Sequence, residues 1–83
     1  MNIFLLTKHT VVNGEEITNE HRAFNDKSNA QQALKEWVDD EINYINEDEW
    51  FVSKNTSDEF EAYEVGYYST NHSIGYIEII EVE

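Results

Sequence analysis

The sequence predicts an α+β fold in the order β-β-α-β-β-β, a small and mainly antiparallel sheet with one amphipathic helix packed across one face. Three observations carry this reading. A β-rich opening run stops at Asn13-Gly14, a pair suited to a type I′ hairpin turn; one segment of helical periodicity follows; and the remainder returns to short β-forming runs separated by turn residues. At 83 residues the chain forms one domain, 1–83, with a thin core, because a chain of this size buries only roughly 60% of its unfolded surface.

The opening strand is Ile3-Phe4-Leu5-Leu6-Thr7-Lys8-His9-Thr10-Val11-Val12. With a two-residue turn, Val12 faces Glu15, Thr10 faces Ile17, Leu6 faces His21 and Phe4 faces Ala23. One face then collects Phe4, Leu6, Val12, Ile17 and Ala23, while His9 and His21 fall on opposite faces. Ser28, with Gln31 three residues on, is placed to cap the start of a helix. On a helical wheel Ala30, Ala33, Leu34, Trp37, Val38, Ile42, Tyr44 and Ile45 cover one half, and Glu36, Asp39, Asp40, Asn43 and Glu47 the other. An end near Asn46 gives about 18 residues, roughly 27 Å and enough to cross a small sheet once. Glu41 interrupts the apolar arc. A buried, unpaired carboxylate is costly, so Glu41 is expected to emerge at the sheet rim; the alternative is a buried acid anchoring a polar pair.

Past the helix, Trp50-Phe51-Val52 begins a strand, Lys54-Asn55-Thr56-Ser57-Asp58 reads as a loop, and Phe60-Glu61-Ala62-Tyr63-Glu64-Val65 begins another strand. Tyr67 and Tyr68 continue it past Gly66. Ser69-Thr70-Asn71-His72-Ser73 supplies turn chemistry before the closing strand, Ile74-Gly75-Tyr76-Ile77-Glu78-Ile79-Ile80-Glu81-Val82.

Several chemistries are excluded by what is missing. Without Cys there is no disulfide, thiolate metal site or thiol nucleophile. The three glycines, Gly14, Gly66 and Gly75, are isolated and form no phosphate-binding loop. His9, His21 and His72 have no helical metal-ligand spacing, and His72 beside Ser69 and Ser73 lacks an orienting third group. Carboxylates are abundant, but they lack the spacing of a calcium loop, and the chain is too short to enclose a glycosidase-like cleft. The reading is therefore non-catalytic, with no cofactor and no metal. No apolar run approaches the roughly 20 residues of a membrane span, and no secretion-signal pattern opens the chain, so a cytoplasmic, soluble protein is expected.

Charge carries the functional reading. The formal net charge is −13, with 18 acidic against 5 basic side chains. Residues 1–35 balance four acids with Lys8, Arg22, Lys27 and Lys35; the rest of the chain holds 14 acids and only Lys54. Direct nucleic-acid binding needs cations to neutralise phosphates, so it is not expected. The inverse has more physical content: a protein-binding surface of Glu36, Asp39, Asp40, Glu47, Asp48, Glu49, Asp58, Glu59, Glu61 and Glu64 could imitate nucleic acid and occupy the groove of a basic nucleic-acid-binding protein. The competing reading is an accessory domain that forms a homodimer through a strand edge or a face bearing Tyr63, Tyr67, Tyr68 and Tyr76. A small carboxylate metal enzyme is the least favoured alternative.

Overall fold

A computed structural model describes residues 1–44, 49–65 and 71–82. Its elements are β1 (Asn2–Val12), β2 (Glu15–Phe24), α1 (Lys27–Tyr44), β3 (Trp50–Asn55), β4 (Glu59–Glu64) and β5 (His72–Glu81). All neighbouring strands run antiparallel in one five-stranded sheet of order β2-β1-β5-β4-β3, with α1 on one face. The fold class and element order are those expected. β5, last in the chain, is the middle strand.

The β1–β2 turn is built as expected, with Asn13 at φ 54° and Gly14 at φ 78°, the left-handed conformations that a type I′ turn requires at both central positions. The pairing starts as expected too, Val12 with Glu15 and Val11 with Glu16. It then slips. Thr10 pairs with Thr18 rather than Ile17, because Ile17 is an extra residue on β2, a β-bulge. From there every partner moves by one: Leu6 lies opposite Arg22 and Phe4 opposite Phe24. Phe24 therefore takes the place expected for Ala23 and packs against the core, while Ala23 is exposed. The same shift puts His21 opposite Thr7 and Asn19 opposite His9, so His9 and His21 share a face, contrary to the regular hairpin.

The helix starts one residue earlier than Ser28, at Lys27. Asp26 caps it: its carboxylate accepts from the Ser28 backbone N–H at 2.8 Å, and its backbone carbonyl accepts from Ala30 N–H at 3.2 Å. An N-terminal aspartate satisfies a free donor and also suits the positive end of the helix. Gln31 does not close a capping box with Ser28; its side chain instead donates to Asp58 across the β3–β4 turn at 2.8 Å. The expected end near Asn46 lies outside the described residues, as do Ile45, Glu47 and the Tyr44 side chain.

Leu34 and Val38 of α1 are buried against Leu6 of β1 and Phe60 and Ala62 of β4, Ala33, Trp37 and Ile42 pack around them, and Ala30 is buried as well. This is the apolar arc expected of the helix. Gly75 of β5 permits the close approach: a Cβ there would lie 2.6 Å from a Trp37 ring carbon and 2.9 Å from a Leu34 methyl. The Trp37 ring, seated over Gly75, meets Phe60 edge to face at 6.0 Å.

Two loop assignments are corrected. β3 runs on through Lys54 and Asn55 after a second bulge between Val52 and Lys54, and the turn proper is held by Thr56, whose hydroxyl accepts from Glu59 N–H at 3.0 Å and whose N–H donates to the Glu59 carbonyl at 2.8 Å. His72 and Ser73 are not turn residues; they begin β5, paired with Val11 and Thr10. Ser69, and the expected continuation through Tyr67 and Tyr68, lie outside the described residues.

Candidate functional site

The sheet has two unequal faces. Phe4, Leu6 and Thr10 of β1 share the α1 side with Phe60 and Ala62 of β4 and Ser73, Gly75 and Ile77 of β5, as the cross-strand pairs and the Gly75–Trp37 approach require. The alternate residues point the other way, onto a face that no described element covers. Ile3, Leu5 and Val11 of β1 stand there beside Ile74, Tyr76 and Ile80 of β5. Tyr63 of β4 and Phe51 of β3 extend the apolar surface, their rings 5.4 Å apart and their residues 42% and 51% exposed.

The ten acidic positions do not form one stripe. Glu36, Asp39 and Asp40 are exposed together on the outer face of α1, where Lys35 reaches Asp39 at 3.9 Å and Gln32 donates to Glu36 at 3.3 Å. Asp58 is turned inward to the start of the helix, accepting from Gln31 and lying 3.7 Å from the Lys27 ammonium. Glu59 and Glu61 belong to the uncovered sheet face, Glu59 paired with Lys54 at 3.3 Å. Glu64 is on the helix side, accepting from the Asn71 amide at 3.2 Å, and Glu49 is exposed just ahead of β3, its backbone carbonyl accepting from Val65 N–H at 2.6 Å. Glu47 and Asp48 lie outside the described residues.

Glu41 does reach the rim, and it also holds a polar chain together. Ser73, fully buried, donates to the Glu41 carboxylate at 3.1 Å; having spent its one proton, it can only accept from Thr10, 3.2 Å away. Glu41, Glu64, Trp50 and Val12 line an open cleft of about 480 Å³ at that end of the helix. Among the described residues no three His, Asp or Glu side chains converge where they could share a metal ion.

The histidines gather on the uncovered face. His9 Nδ1 is 3.4 Å from His72 Nε2, with the rings 5.3 Å apart, and His9 Nε2 is 3.4 Å from the Glu16 carboxylate. His21 Nδ1 lies 3.1 Å from the Thr7 hydroxyl. This cluster is a product of the bulge and of the early start of β5. The apolar centre of the face did have a sequence signal: Ile3-Phe4-Leu5-Leu6 and Tyr76-Ile77 are apolar at both parities, which is the pattern of strands with two faces to bury.

The basic side chains are already engaged. Lys8 pairs with Glu20 at 2.9 Å, Lys27 with Asp58, Lys35 with Asp39 and Lys54 with Glu59, and the Arg22 guanidinium sits 4.8 Å over the Phe24 ring. The Glu20 carboxyl has its pKa drawn down by the hydrogen bond from Lys8 and then by that ammonium's charge.

No protein-family model matches the chain, and neither the curated proteins nor the solved structures contain a match to it.

Proposed function

We propose that this chain is a non-catalytic, acidic protein-binding domain whose partner is a basic protein, one that ordinarily holds nucleic acid. The observation that supports this reading is the arrangement of charge. Each lysine already has a carboxylate partner within the fold, while Glu36, Asp39 and Asp40 project from the outer face of α1 with Lys35 as the cation beside them. Neighbours three and four apart on a helix are about 5–6 Å from one another, so these carboxylates present repeated negative charge at close spacing. Such a field speeds encounter with a cationic surface and weakens as salt is added.

The test is affinity capture from the native extract at low and high salt, comparing the natural chain with the triple variant Glu36→Gln, Asp39→Asn, Asp40→Asn. Recovery of a basic nucleic-acid-binding protein, with affinity reduced on the order of tenfold in the variant at low salt, is the expected result; exposed charge pairs contribute roughly 0.2–1 kcal/mol each. Recovery that ignores both salt and the substitutions would sink the reading.

A further inference from the structure

The proposed function assigns the partner's charge but leaves open which surface grips it. We infer that the uncovered face of the sheet is the docking surface, and that its occupant is an amphipathic cationic segment of the partner, with apolar side chains seated on Leu5, Ile74, Tyr76 and Ile80 and basic side chains reaching the carboxylates interleaved with them on β5 and β4. This inference rests on the proposed function and deepens it.

The face has the composition of a contact surface. β1 and β5 place Ile3 opposite Ile80, Leu5 opposite Glu78, Thr7 opposite Tyr76 and His9 opposite Ile74, and Tyr63, opposite His72, adds with Phe51 a second apolar patch on β4 and β3. A sheet that needed only solvation on this side would alternate polar residues along these strands. Apolar side chains on the two central strands, with Glu78 set among them between Tyr76 and Ile80, and aromatic side chains toward the β3 edge are what binding surfaces present, and tyrosine is favoured among the residues that hold partners.

Charge chooses the occupant. Glu59, Glu61 and Glu78 stand on this face along β4 and β5, and Glu16 stands on it at the far edge, on β2. Lys54 is the cation of the face, and it is held by Glu59; Glu61 and Glu78 have no ion-pair partner among the described residues. A second copy of this chain would bring the same carboxylates against one another, from a molecule of net charge −13. A lysine- or arginine-bearing segment brings the opposite charge. Among the described residues the outer face of α1 has no large apolar side chain to hold such a segment, so its acids steer the encounter, and the sheet face sets the residence time.

The probe is a synthetic peptide of alternating lysine and leucine, with a lysine–serine peptide of equal length and charge as control, titrated into the isotopically labelled full chain and followed by amide chemical shifts. The expected result is at least tenfold tighter binding of the lysine–leucine peptide, with the largest shifts along β1 and β5. The double variant Tyr63→Ser, Ile80→Ser should lose that advantage, and circular dichroism checks that it remains folded; both residues are at least 40% exposed. Equal binding of the two peptides with shifts confined to α1 would overturn the inference and leave the proposed function standing. Failure of both peptides to bind would overturn the inference and the proposed function together. Sedimentation as a dimer with β1 and β5 protected, in the absence of peptide, would assign the face to a second copy and overturn the inference as well.

Discussion

Single residues in this fold do work that their type alone does not announce. Ser73 sits in the middle of a chain that runs from Thr10 to Glu41, and its hydroxyl joins the two. Replacing it with alanine leaves the Thr10 hydroxyl without its acceptor in a buried place, at a cost of about 1–3 kcal/mol, read as a lower urea midpoint with an unchanged slope. An equal midpoint would show that the chain is not structural. Lys8 and Glu20 make a different case. Because the folded protein holds the Glu20 carboxyl below its ordinary range, through the Lys8 hydrogen bond and charge, the pair stabilises the fold at pH values above that range. The contribution is lost as pH falls through the lowered value. Substituting Lys8→Met should therefore flatten the acid limb of a stability-against-pH curve as pH falls below the ordinary glutamate range, with little change in shape elsewhere. An acid limb of unchanged steepness would contradict it.

At the scale of elements, what could be read from the sequence was what local chemistry specifies. Asn13-Gly14 demands its turn wherever the strands lie, and the spacing of Leu34, Trp37 and Val38 demands a helix with one face covered. The bulge could not be read, because Ile17 is as good a β-former as its neighbours and nothing local distinguishes an extra residue from a paired one. It is the core that selects the slip: Phe24 covers more apolar area than Ala23 opposite Phe4. Ser73 misled for a similar reason, since serine favours turns in isolation and only the buried partners on β1 and α1 hold it in a strand. The bulge has a testable corollary. Deleting Ile17, which is 63% exposed, turns the irregular pair into a regular one without changing any other partner, so stability should move by less than about 1 kcal/mol. Cross-strand nuclear Overhauser effects between Phe4 and Phe24 should persist. Loss of those contacts would contradict the assignment of Ile17 as the extra residue.

For the molecule as a whole, the acidic positions were legible and their grouping was not. Sequence distance says that Glu36, Asp58 and Glu61 lie in the same strongly charged half; only the fold separates them onto the outer helix face, the start of the helix and the uncovered sheet. The sum still acts on stability. A net charge of −13 on so small a body repels itself in the compact state, and four exposed or half-exposed ion pairs offset little of that. Raising sodium chloride from about 10 mM to 300 mM, across which the screening length shrinks from about 30 Å toward 8 Å or less, should raise the melting temperature by several degrees. A fall would indicate that the ion pairs outweigh the repulsion. One further consequence follows from the position of β5. β5, the last of the five strands in sequence, is inserted between β1, the first, and β4, so Ile3-Phe4-Leu5-Leu6 has no neighbour on that side until β5 is in place. Contacts of such long sequence separation close slowly. The β1–β2 hairpin can form on its own, but the sheet is one cooperative unit only once the ten residues of β5 are in place.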